Sequence, residues 1–110
     1  MLKKKTVVIY ANKNGHEPFS EWLSSLKDRT IRARIRNRIS RLDLGNFGDC
    51  EPVGEGIFEL RLFFGPGYRV YFAEYESTTI ILLCGGDKKT QNRDILKAKD
   101  YWERVQGDRK

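Results

Sequence analysis

Cysteine and histidine are scarce in this 110-residue chain, and each shortage excludes a class of chemistry. Cys50 and Cys84 stand far apart and without metal-ligand spacing, so neither a zinc site nor a disulfide framework is expected. A single histidine, His16, sits in a turn, and no metal or other cofactor is implied. No apolar run approaches membrane-spanning length. Lys3-Lys4-Lys5 before Val7-Val8-Ile9-Tyr10 has the basic start of a secretory leader, but the apolar stretch is too short and Asn12-Lys13-Asn14-Gly15 follows at once. A cytoplasmic location without membrane contact is therefore expected. Acidic residues are also in the minority, 15 against 21 Lys and Arg, giving a net charge of +6. Such an excess of cations suits an acidic partner, either nucleic acid or an acidic protein that masks the basic face.

The patterning predicts one domain over residues 1–110. Thr6–Tyr10 is β-branched and aromatic, as a first strand would be. Pro18 suits the first turn of a helix in which Phe19, Trp22, Leu23 and Leu26 recur at helical spacing. Asp28 is placed to cap a second helix, with Ile31, Ile35, Ile39 and Leu42 as its buried stripe and Gly45 at its end. Residues 46–56, rich in Gly, Asp, Glu and Pro, read as a loop. Three strands follow, roughly Ile57–Phe63, Tyr68–Tyr75 and Thr79–Cys84, joined by local reversals as an antiparallel meander. Gly65-Pro66-Gly67 makes the first reversal, because tight turns need a fixed φ and residues tolerant of positive φ. Thr90–Val105 reads as a last helix, with Ile95, Ala98, Trp102 and Val105 on one side. The order β-α-α-β-β-β-α argues for an α+β fold: a small, mostly antiparallel sheet with helices packed on a face.

Four cations converge on this meander. Arg61 and Arg69 lie on the two arms of its first hairpin, and Lys88 and Lys89 follow its last strand. Alternation places Arg69, Tyr71, Ala73 and Tyr75 on one face and Tyr68, Val70 and Phe72 on the other. The second set is the natural core, so Arg69 and Tyr71 are expected to look onto an open concave surface where Tyr71 has the means to stack on a base. Arg61 either binds phosphate or pairs with Glu59 or Glu74. On the second helix Arg34, Arg38 and Arg41 share a stripe, which is a solvated face, a set of RNA phosphate contacts or a patch for an acidic segment.

Three stretches carry a family resemblance: Phe19-Trp22-Leu23 with Arg34-Ile35-Arg38-Ile39, then Gly65 to Phe72, then Leu83 to Gln91 with Asp94-Ile95 and Ala98. In these the chain resembles the RelE/ParE toxin superfamily of type II toxin–antitoxin modules, and within it the HigB-like "addiction module killer protein" branch. The resemblance covers nearly the whole chain. It implies a toxin neutralised by a cognate antitoxin, usually a helix-turn-helix DNA-binding protein, with operator DNA reached only through that complex. RelE-like members are mRNA interferases, endoribonucleases that cut mRNA on the ribosome. ParE-like members share the fold but inhibit DNA gyrase, so the site must decide function.

Cleavage of RNA through its own 2′-OH needs a base, stabilisation of the crowded phosphate and an acid for the leaving oxygen. The resemblance places the phosphate-holding arginine at Arg69 and a basic residue at Lys88, with Lys89 beside it. The lysine pair of the best-studied members is replaced by Ile57 and Glu59, and their acid tyrosine falls on Asp94. Glu59 is thus the candidate base, and Asp94 or Tyr71 the candidate acid. Catalytic candidates are Arg69, Lys88, Glu59, Asp94 and Tyr71; candidate RNA contacts are Arg61, Lys89, Arg34, Arg38 and Arg41. The alternatives are a non-enzymatic gyrase inhibitor and a decayed toxin that only binds its antitoxin.

Overall fold

A computed structural model describes residues 4–107. Lys3 of the basic triplet and the last few residues, 108–110, whose sequence reads as a frayed end, lie outside the described residues. The chain forms β1 (Thr6–Ile9), α1 (Pro18–Ser25), α2 (Arg29–Asp43), β2 (Cys50–Gly54), β3 (Ile57–Leu62), β4 (Tyr68–Tyr75), β5 (Thr79–Gly86) and α3 (Gln91–Gly107). A 3₁₀ turn, Lys88–Thr90, leads into α3. The five strands form one sheet in the order β1-β5-β4-β3-β2, with β1 parallel to β5 and every other pair antiparallel. The expected α+β class and the meander hold.

Local signals explain most boundaries. Pro18 opens α1, and the Asp28 carboxylate caps α2 by accepting from the Thr30 and Ile31 amides at 2.8 and 3.4 Å. Asp87 does the same for the 3₁₀ turn, accepting from the Lys89 and Thr90 amides at 2.9 and 3.2 Å, while the Thr90 hydroxyl accepts from the Asp87 amide. The β3–β4 connection reverses at Gly65 and Gly67, which have φ of 57° and 78°.

Two expectations are corrected. The stretch 46–56 is not all loop: Cys50–Gly54 forms an edge strand on β3. Its Pro52 and short, polar sequence disguise a strand, yet an edge position tolerates proline because no second neighbour needs its amide. The helices also do not share one face. Phe19, Leu23, Ile35 and Leu42 of α1 and α2 pack against Leu60, Leu62, Val70, Phe72, Ile80 and Leu82. On the opposite face Ala98 and Trp102 of α3 cover Ile57, Tyr71, Ala73, Ile81 and Leu83. A sheet buried on both sides explains why β5 reads as a continuous apolar run rather than alternating.

An irregularity in β5 sets the position of everything beyond it. Tyr71 pairs with Cys84 but the next residue, Phe72, pairs with Leu82, so Leu83 is an extra residue. The bulge shifts the alternation by one, leaving both Leu83 and Cys84 in the cluster beneath α3. It also turns Gly85 toward Trp22 and Gly86 toward Asp94. A Cβ on Gly85 would lie 2.2 Å from the Trp22 ring, and one on Gly86 would lie 1.8 Å from an Asp94 oxygen. These two glycines let α1 and α3 approach opposite faces of one strand. Gly85→Ala and Gly86→Ala should each lower stability by about 1–3 kcal/mol or more. Gly107→Ala, with nothing within 4 Å of the added carbon, should be near neutral. Urea denaturation of the three variants tests this, and equal midpoints would show that the close approach carries no weight.

Candidate functional site

Cross-strand register brings the chemistry together where β3, β4 and the start of α3 meet. Glu59 pairs with Tyr71, and Arg61 with Arg69. Two like charges directly opposed would destabilise the hairpin unless each found an anion. Arg61 turns to Asp49 and Glu51, at 3.3 and 2.9 Å, rather than to Glu59 or Glu74. Glu74 is taken by Lys5. Arg69 remains inside, with its Nε 3.4 Å from Glu59 Oε2 and its Nη1 donating to the Gly67 carbonyl at 3.1 Å.

Glu59 is buried, 3% exposed, and its Oε2 is shared. Tyr71 Oη donates to it at 3.0 Å and Gln91 Nε2 at 2.7 Å. A buried carboxylate is tolerable only when such donors and a cation surround it. Gln91, the first residue of α3, thereby ties that helix to β3. Composition and spacing carried no sign of this role, because nothing local marks an amide that will meet a buried carboxylate from 32 residues away.

The expectation of an open concave face over Arg69 and Tyr71 is corrected here. α3 covers it: Tyr71 is fully buried and the Arg69 side chain is 11% exposed. Tyr71 is therefore placed to bond Glu59 and not to stack on a base. Burial first, and then the nearby Glu59 charge and hydrogen bond, push its hydroxyl far above the usual tyrosine range. A phenol held that firmly is a poor proton donor to a leaving group.

Lys88 is exposed and stands beside Arg69. Its amide donates to the Pro66 carbonyl at 3.4 Å, which ties the turn after β5 to the β3–β4 connection. A Cβ built on Gly67 would lie 3.4 Å from Arg69 Nη1 and 3.6 Å from Lys88 Cβ, so both cations flank that glycine. Lys89 is exposed on the same turn. Asp94 is buried, accepts from the Thr90 hydroxyl through a short contact, and has Arg93 Nε 3.9 Å from its other oxygen. His16 bonds Glu21 at 3.0 Å and lines a cleft that also reaches Asp94, so the fold reduces their separation in sequence.

The arginine stripe of α2 is not a plain solvated face. Arg34 lies over the Phe64 ring at 3.7 Å, and the half-buried Arg38 donates to the Asp49 carbonyl at 3.2 Å. With Arg41 they line a cleft that Arg61 enters from the hairpin. All four arginines are recognisable in the sequence; Asp49, which links the two groups, and Phe63 on the rim are not, because neither carries a local signal.

Similarity to known proteins covers most of the chain. Residues 21–102 match the family model "Phage derived protein Gp49-like (DUF891)". An uncharacterized protein of Haemophilus influenzae is 54% identical over 81 residues, covering 74% of this chain and 82% of that protein. The chain belongs to the Gp49-like family, a toxin-like family of toxin–antitoxin systems. No helix among the described residues is long and apolar enough to cross a membrane.

Cys84 reports on the packing of this region. Its thiol, opposite Tyr71 and donating to the Asp94 carbonyl at 3.6 Å, is pushed up to about 12, chiefly by burial and then by the Asp94 charge. The folded state thus keeps a proton that the unfolded chain releases near the ordinary thiol value of about 8.5. The associated stability is complete below that value and falls as pH rises toward about 12. Between about pH 7 and about pH 9.5 the wild type should lose about 1 kcal/mol that Cys84→Ala does not lose. Parallel urea titrations test the difference in slope, and equal slopes would exclude a buried neutral thiol.

Proposed function

We propose that this protein is the toxin of a type II toxin–antitoxin module and acts as a ribosome-dependent endoribonuclease on mRNA. The observation that carries this reading is the setting of Arg69. Its guanidinium is gripped by Glu59 and the Gly67 carbonyl at the end of the sheet where Lys88 projects. A preorganised cation beside an exposed one suits a phosphate whose charge grows in the transition state. Lys89, on the same turn, adds to that field.

In this reading Glu59, Tyr71 and Gln91 position Arg69. The base role first expected of Glu59 suits it less well, since its Oε2 already serves two donors and a cation. Asp94 holds the turn bearing Lys88 through Thr90 and stays the candidate acid. The ribosome would supply the alignment of the 2′-OH, so that the toxin mainly contributes charge. The same lack of an unengaged base favours the second reading, a gyrase inhibitor without nuclease chemistry. A cognate antitoxin is the expected partner in either case.

Primer extension on a reporter mRNA, translated in a reconstituted system with purified protein, separates the two. New 5′ ends should appear inside codons. Arg69→Ala should reduce their rate of appearance by roughly 10²–10³-fold, the loss typical of removing one charge-stabilising group. Lys88→Ala should act in the same direction and more weakly. Intact mRNA in that system, from a protein whose expression arrests the growth of cells, would sink the nuclease reading and turn attention to gyrase.

A further inference from the structure

The cleft between α2 and the β3–β4 hairpin is more than a cationic surface. It measures about 430 Å³ and is lined by Arg34, Arg38, Arg41 and Arg61, with Asp49 as its one acidic residue. Asp49 is engaged through Oδ1 with Arg61. Among the described residues, Arg38 Nη1 and Arg61 Nε are buried without a hydrogen-bond partner, as is Asp49 Oδ2. Buried guanidinium donors left unmatched in a site with three surplus cations call for an anion.

Its rim adds a second element. Phe63 is 79% exposed, the most exposed large hydrophobic side chain among those described, and Arg61 approaches its ring at 5.8 Å. A neighbouring guanidinium, Arg34, already lies on an aromatic face at 3.7 Å. An exposed ring beside stacked arginines suits a flat π-system joined to a phosphate. Arg61 opposes Arg69 across β3 and β4, with about 5 Å between directly paired Cα atoms, so the cleft adjoins the Arg69 site.

We propose that this cleft is a subsite for one nucleotide of single-stranded RNA: its base stacks on Phe63 and its phosphate sits among Arg34, Arg38 and Arg41. The subsite rests on the RNA reading above but not on cleavage. A duplex, whose bases are already stacked, gains nothing from Phe63, which makes the cleft selective for unpaired strands.

The test is fluorescence anisotropy of a labelled single-stranded oligoribonucleotide of about eight residues, with isolated protein and no ribosome. Phe63→Ala should weaken binding roughly tenfold without changing the salt dependence, and Phe63→Trp should restore it. Arg34→Gln and Arg41→Gln should weaken binding and each lower the salt slope by about one. Circular dichroism melts of these surface variants should overlay the wild type. Equal affinity of Phe63→Ala and wild type, equal binding of an RNA duplex, or displacement of the RNA by poly-glutamate with no effect of Phe63 would each overturn the subsite. The last outcome would mark the cleft as a docking site for an acidic protein segment. Phe63-dependent binding without cleavage on ribosomes would refute the nuclease reading alone; cleavage with Phe63-independent binding would refute the subsite alone.

Discussion

A single carboxylate oxygen, Glu59 Oε2, joins the parts of this protein on which its chemistry depends. It lies in the middle of a sheet covered on both faces, where an unpaired charge would cost several kcal/mol. Tyr71 on β4, Gln91 on α3 and the Arg69 guanidinium all converge on it. The two hydrogen bonds tie β3 to β4 and to the last helix, and the ion pair directs Arg69 to the same oxygen. Arg69 is consequently held before any ligand arrives, and that preorganisation is what an electrostatic site requires.

The bulge in β5 provides the space around this network. One extra residue rotates the following strand so that its two glycines face an indole on one side and a carboxylate on the other. Close approach of α1 and α3 brings Thr90 and Asp94 against the strand end that pairs with Arg69. Packing and site geometry are therefore one constraint. Side chains larger than glycine would separate the helix from the sheet and move the turn bearing Lys88.

Charge is distributed along the same lines. Acidic groups are placed where two arginines would otherwise repel each other: Asp49 and Glu51 take Arg61, and Glu59 takes Arg69. The surplus cations remain at two places, the turn after β5 and the cleft beside α2. Between them stand the paired Arg61 and Arg69, whose charges Asp49, Glu51 and Glu59 already meet, so a polyanion finds two basic patches separated by a neutralised pair.

Much of this was legible in the residues. Helical spacing at Phe19, Trp22 and Leu23, the Asp28 cap and the Gly65-Pro66-Gly67 reversal are local signals, and local physics writes them directly into sequence. The meander and the cations it carries follow from them. β2 escaped because an edge strand needs neither alternation nor freedom from proline. That neither face of the sheet is left open was also not legible: alternation separates Tyr71 from Phe72 but does not reveal that α3 will cover the Tyr71 side. Nor does sequence show that Gln91 will meet Glu59, that Asp49 will bridge Arg38 and Arg61, or that Gly85 and Gly86 answer to different helices. The chain alone determined the elements and the residues able to carry charge. Tertiary structure decided which of those charges are neutralised inside and which remain for a partner, because that depends on contacts between segments whose separation in sequence encodes nothing about their distance in space.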